Sequence, residues 1–227
     1  MMQFLRLFLV PTLLFCCATT SAFAQSIPLP EHPRPDFERA DWQNLNGEWQ
    51  FEFDVEDEGV ENDWHTGEQT FSKTIQVPFP WGSELSGVED EADIGWYQRD
   101  ITVDESWEGQ RIFLTIGASD WETTVWLDGQ LLGKHQGGYV PFSFELTDLV
   151  DFGQTQQLVV RADDVRRDFT LYGKQGYGNA RGIWQTVYLE ARGQNYLDAV
   201  HFTPDIDNEK VTVTAYLPED APEDLPI

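Results

Sequence analysis

The 227-residue chain sets 40 acidic side chains against 14 basic ones, a net charge of −26. A potential of that sign repels nucleic acid and anionic membranes, so neither is an expected partner. Both cysteines, Cys16 and Cys17, fall within the first 24 residues. Residues 25–227 therefore have no disulfide framework and no thiolate metal site, and depend on a hydrophobic core that about 200 residues can supply.

The chain opens with Arg6 as the single charge ahead of an apolar run from Leu7 to Ala18, followed by small residues and Ala22-Phe23-Ala24. A basic start, an apolar centre and an A-x-A-like end are the three parts of a secretory signal peptide, placed at residues 1–24. The run is shorter than the roughly 20 apolar residues that span a bilayer. A secreted or periplasmic location is the resulting expectation, with no membrane attachment after cleavage. Residues 25–36 contain Pro28, Pro30, Pro33 and Pro35 and read as an extended lead-in to the first folded element.

From residue 37 the apolar period is two. Trp49, Phe51 and Phe53 alternate with polar neighbours, as do Phe71, Ile75 and Val77, then Ile112, Leu114 and Ile116, then Thr123, Val125 and Leu127. Phe142, Phe144 and Leu146, Leu158 and Val160, and Val187 and Leu189 continue the pattern. Such alternation marks strands with one face in a core. Asp128-Gly129, between Val125-Trp126-Leu127 and Leu131-Leu132, is a strong hairpin signal. No segment reads as a helix of normal length. The expected fold class is all-β, a two-sheet jelly-roll sandwich over residues 37–193. A new unit starts at residue 194: Val211, Val213, Ala215 and Leu217 form a further strand before an acidic, proline-containing stretch from Pro218 to Ile227. Two or three strands do not bury a core of their own, so residues 194–227 read as the beginning of a second β domain.

No nucleotide-binding, zinc-protease or nucleophile-elbow motif is present. Gly173, Gly176, Gly178 and Gly182 precede a strand rather than opening a helix, and His32, His65, His135 and His201 are scattered. Neither a cofactor nor a metal is expected. Trp64, Trp107 and Trp121, flanked by acids and polar residues, are the tryptophans expected to be exposed; Trp49, Trp126, His135 and Tyr139 are expected to serve packing.

Six short strings then fall in order. Leu45-Asn46-Gly47-Glu48-Trp49-Gln50-Phe51, Val77-Pro78-Phe79-Pro80-Trp81 and Gly95-Trp96-Tyr97-Gln98-Arg99 come first. Val125-Trp126-Leu127-Asp128-Gly129 with Gly133-Lys134-His135 and Gly137-Gly138-Tyr139-Val140-Pro141-Phe142, then Gly182-Ile183-Trp184-Gln185-Thr186-Val187, and finally Thr203-Pro204-Asp205-Ile206-Asp207-Asn208 complete the series. Together they resemble glycoside hydrolase family 2: its N-terminal sugar-binding, galactose-binding-like domain and the first strand and turn of its immunoglobulin-like second domain.

The resemblance implies a retaining β-glycosidase of β-galactosidase, β-glucuronidase or β-mannosidase type, in which two glutamates of a neighbouring (β/α)₈ barrel cleave a β-glycoside. This stretch would then be the carbohydrate-recognition part and the barrel its intramolecular partner, with no catalytic residue in this chain. In the family, the segment before the G-I-x-R-x-V strand reaches toward the active-site mouth, and an acidic residue there touches the sugar. Here the matching position is Gly176, a departure that leaves the preferred sugar open. Lys174, Gln175, Asn179 and Arg181 are the candidate hydrogen-bond donors to sugar hydroxyls, and Tyr177 the candidate stacking ring. The same segment also reads as a loop clamped by its own arginine. Two other readings of the whole stay open: a free-standing lectin-like carbohydrate-binding module, and a structural sandwich with no sugar site.

Overall fold

Period-two apolar patterning forces pairing, because a strand with one greasy face has to bury it against a second layer. A computed structural model describes residues 27–90, 92–165 and 181–222. In chain order the strands are β1 (Trp42–Asn44), β2 (Gly47–Phe53), β3 (Lys73–Val77), β4 (Ile94–Thr102), β5 (Arg111–Ile116), β6 (Ser119–Asp120), β7 (Glu122–Leu127), β8 (Gln130–Gln136), β9 (Phe142–Glu145), β10 (Thr155–Asp163), β11 (Gly182–Ile183), β12 (Val187–Arg192), β13 (Ala199–Asp205) and β14 (Lys210–Tyr216). The helical segments among the described residues are single three-residue turns.

Two antiparallel sheets form the sandwich. One has four strands in the order β1-β12-β5-β9, and the other six in the order β3-β2-β4-β10-β7-β8. Consecutive strands seldom lie side by side, and the crossings between sheets are what a jelly roll requires. The core lies between the sheets: Ile112, Leu114 and Ile116 of β5 and Val187 and Leu189 of β12 meet Phe51, Tyr97, Val125, Leu127, Leu158 and Val160 from the other layer. The anticipated inward positions are therefore the ones observed, except Phe71, which packs on the outer face of the six-stranded sheet. The Asp128-Gly129 turn joins β7 to β8 with φ of 46° and 76°, the left-handed pair that a two-residue hairpin needs.

The six-stranded sheet is buried on its outer face as well. Trp96, Val159 and Trp126 project outward from β4, β10 and β7 and are covered by Trp64 and Phe71 from the segment between β2 and β3. Trp96 and Trp126 stack at 5.3 Å and 15°. The Trp96 indole N–H donates to Asp54 Oδ2 at 3.0 Å, and that carboxylate also accepts from the Glu58 and Gly59 amides. The indoles of Trp49 and Trp81 likewise reach carbonyls, those of Leu45 and Ala92. This second layer corrects the expectation for tryptophans beside acids. Trp107 is buried in the main core, carried inward by a one-turn segment that Asp104 caps, its side chain accepting from the Ser106 amide. Trp64 and Trp121 are half-buried. Charged neighbours report that the flanks reach water, not where the indole points.

Asn46 also departs from the turn role its Asn-Gly sequence implies, since only Gly47 takes a positive φ. The Asn46 amide instead ties three segments. Its Nδ2 donates to the carbonyl of Pro28 and to Thr186 Oγ1, and its Oδ1 accepts from the Val187 amide. Asn44 holds the carbonyl of Leu29. The proline-containing lead-in is thus docked on the sandwich rather than bridging to it as a tether. His32 is buried edge-on between Trp42 and Tyr188.

Beyond β12, β13 and β14 pair, among the described residues, only with each other, in register from Ala199↔Tyr216 to Asp205↔Lys210. Phe202, Val211 and Val213 are more than half exposed, the state expected of a hairpin too small to bury a core by itself.

Candidate functional site

One end of the sandwich is assembled from short pieces. The two-residue strands β6 and β11 pair there, Gly182 with Asp120 and Ile183 with Ser119. The β8–β9 loop folds over them, the Gly137 amide donating to the carbonyl of Trp121. Gly138 passes so close that a Cβ there would lie 2.7 Å from Asp120 Oδ1, the close backbone approach its Gly-Gly sequence implies. The Trp184 indole donates to the Gly138 carbonyl at 2.8 Å, and Tyr139 meets the Trp184 ring edge-on at 6.0 Å. Tyr139 is 84% exposed. Its expected packing role is therefore corrected: Trp49 and Trp126 are core residues and His135 stacks on Phe142, but Tyr139 stands at the rim facing water.

Of the five candidate binding residues, Lys174, Gln175, Tyr177 and Asn179 lie outside the described residues. Arg181 is described. Its Nη1 donates to the Ala92 carbonyl at 2.8 Å and to Asp93 Oδ1 at 3.0 Å, and its Nε lies 3.5 Å from Asp164 Oδ2. Arg181 therefore fixes the point where the chain re-enters the sandwich, tying it to the segment before β4 and to the end of β10. Gly182 follows with φ of 71°, and a side chain there would overlap the Trp81 ring and the Tyr97 hydroxyl. That hydroxyl accepts from the Ile183 amide, and burial raises its pKa. The re-entry is thus rigid from Arg181 to Ile183.

Sequence reasoning missed the carboxyl groups around this anchor. Burial, with the charges of Asp120, Asp93 and Asp163 added to it, pushes the Asp164 carboxyl up to about 6, against the opposing pull of Arg181. Burial also raises Asp120. Asp93 and Asp164 thus hold the Arg181 guanidinium while Asp120 acts on Asp164 from β6, at a rim that carries an exposed aromatic ring. With 40 acids in the chain, no spacing signal could have separated these three from the rest.

The architecture defines the class: an all-β sandwich of the galactose-binding-like, jelly-roll kind. The sequence profile described as "Glycosyl hydrolases family 2, sugar binding domain" matches residues 42–192, and the chain belongs to that family. Among curated proteins, a β-glucuronidase of Paenibacillus borealis is 29% identical over 57% of this chain and 22% of its own length. A β-galactosidase of Thermoanaerobacter pseudethanolicus is 26% identical over 73% of this chain and 22% of its own. Solved structures agree in fold. The apo β-glucuronidase of Ruminococcus gnavus superposes with a TM-score of 0.68 at 20% identity, covering 80% of this chain and 35% of that one. The β-glucuronidase of Lactobacillus rhamnosus gives 0.65 at 22%, covering 82% and 35%. The chain spans about a fifth of the length of the first curated relatives it matches.

Proposed function

We propose that this chain is the N-terminal carbohydrate-recognition part of a secreted or periplasmic retaining β-glycosidase, of the β-glucuronidase or β-galactosidase type. The observation that carries the reading is the family match over 42–192, in a chain that covers only a fifth of relatives bearing those two names. In this reading residues 1–24 are the export signal, 37–193 the recognition domain and 194–227 the opening strands of an immunoglobulin-like domain. The apolar side chains of β13 and β14 would find their cover within that domain.

Chemistry would take place in a neighbouring barrel, where two carboxylates roughly 5 Å apart act as nucleophile and acid/base. The contribution of this chain is to hold the sugar. Lys174, Gln175 and Asn179 donate to hydroxyls and Tyr177 stacks on a ring face, while Arg181 serves that segment as its anchor. Arg181, anchored on Asp93 and Asp164, sets where that segment ends.

The test is turnover. The polypeptide encoded by the full reading frame is expected to hydrolyse nitrophenyl β-glucuronide or β-galactoside with retention of configuration, and the 227-residue chain alone is expected to be inactive. Hydrolysis by the 227-residue chain, or none by the full product on either substrate, overturns the proposal.

A further inference from the structure

The hairpin of β13 and β14 shares no ladder with either sheet among the described residues, so its bearing on the sandwich rests on the connection at its base. That connection, residues 193–198, opens on Gly193-Gln194-Asn195, an exposed polar stretch that by itself leaves a chain free to swing. The next residue, Tyr196, is half-buried. Its ring meets Phe113 of β5 edge-on at 5.4 Å. Three guanidinium groups approach the centre of the same ring, Arg39 at 5.9 Å, Arg111 at 5.3 Å and Arg192 at 5.0 Å. They come from the chain ahead of β1, the start of β5 and the end of β12. Three of the 14 basic side chains of the molecule thus converge on one ring, where cation–π attraction and stacking orient their planes.

Two of these arginines are not free to leave. Arg39 and Arg192 both donate to Oε2 of Glu190, at 2.8 and 2.7 Å, and that side chain is 2% exposed. A carboxylate so deeply buried is costly without its cations, which keeps both guanidinium groups on the outer face of the four-stranded sheet. From there they reach the connection itself. Arg39 Nη2 donates to the Leu197 carbonyl, and Arg192 Nη1 lies 3.8 Å from Asp198 Oδ1. Asp198 in turn opens the hairpin, its amide donating to the Tyr216 carbonyl at 2.7 Å. The far end is tied more lightly. Arg111 joins Asp220 at 2.9 Å, but that carboxylate is 71% exposed, and water and salt weaken such a pair.

We infer that residues 193–198 form a fixed elbow, in which Tyr196, gripped by Arg39, Arg111 and Arg192, holds the β13–β14 hairpin at one bearing on the sandwich. The ring is what is gripped, and the hydroxyl has no part in it. The hold lies at the entry to the hairpin, where the cations are committed to a buried carboxylate, and not at its exit. Under the glycosidase reading, on which this step alone rests, the elbow sets the bearing of the recognition domain on the polypeptide that follows it.

Residual dipolar couplings of the backbone amides in the 227-residue chain test the elbow. Couplings from β2, β4, β5, β10 and β12 and those from β13 and β14 are expected to fit a single alignment tensor. Tyr196 belongs to neither apolar core, so Tyr196→Ala is expected to leave the sandwich couplings as they are. Those of the hairpin should shrink by about a fifth or more, the drop that separates a rigid backbone from a flexible one. Tyr196→Phe, which keeps the ring, and Asp220→Asn, which frees the exit, should both retain the single tensor. Two tensors in the wild-type chain, or a single one in Tyr196→Ala, overturn the inference. Loosening by Tyr196→Phe or by Asp220→Asn also overturns it, because the hold then lies at the hydroxyl or at the exit. The proposal of a glycosidase is untouched by any of these results, since turnover by the longer polypeptide decides it.

Discussion

Replacing Asp164 with Asn separates the electrostatics of the rim from its packing. Asp164 holds its proton to about 6 in the folded chain, against an ordinary value of 3.8. A carboxyl group whose folded pKa is raised binds more protons folded than unfolded between those two values. Stability therefore falls as pH rises from about 4 to about 6, and the full cost of the buried charge is present above that. Two units correspond to roughly 3 kcal/mol. The Asp164 side chain is 14% exposed and keeps Arg181 at 3.5 Å, so about 1–3 kcal/mol is the working range. Asn has no such titration. Urea unfolding of wild type and Asp164→Asn at pH 4, 5, 6 and 7 should show the variant gaining on wild type by about that amount across the window. A difference that stays constant with pH, or that moves in favour of wild type as pH rises, refutes the assignment of a costly buried charge to this position.

The same unfolding assay reads the consequences of packing. Gly182→Ala forces a side chain into the Trp81 ring and the Tyr97 hydroxyl at a φ of 71°, and should cost about 3 kcal/mol or more. Asn46→Ala removes the acceptor for the buried Val187 amide together with the tie to Pro28, a loss of about 1–3 kcal/mol that should also make residues 27–40 more open to proteolysis. Trp96→Ala empties the outer layer of the six-stranded sheet and should cost about 3–5 kcal/mol, with the Trp126 near-ultraviolet circular dichroism lost before global unfolding. By contrast, Tyr139→Ala should leave stability within about 0.5 kcal/mol, because an exposed ring contributes little to it.

The strands were legible because their chemistry repeats. Ile112, Leu114 and Ile116, or Val187 and Leu189, can face a core only if the residues between them face away, and period two has no second solution. The Asp128-Gly129 turn was legible for the same kind of reason, since few residue pairs tolerate two left-handed positions in succession. What stayed hidden is non-repeating. β6 and β11 are two residues long and carry no period at all. Trp107 and Tyr139 were exchanged in expectation: acids flank the buried ring, while the exposed one sits among glycines and a proline in a string that otherwise packs. Asp120 and Asp164 are 44 positions apart in sequence and become neighbours only because β6 and β10 close on the same end.

That closure bears on how a sandwich of this kind positions a ligand. Arg181 does not reach outward. It is bound to the segment before β4 and to the end of β10, and the next residue is a glycine that admits no side chain. The chain that runs from this anchor into β11 therefore starts from a fixed point and direction. The cost of that fixed point is visible beside it, in carboxyl groups held away from water around a cation. Stability given up at Asp164 and rigidity gained at Arg181 are then two aspects of one arrangement. Arg181→Gln should therefore do more than remove an ion pair. With the cation gone, Asp164 loses the neighbour that opposes its protonation, and its carboxyl should titrate above its present value by NMR. A carboxyl that titrates unchanged in Arg181→Gln would show that the anchor and the acids are independent.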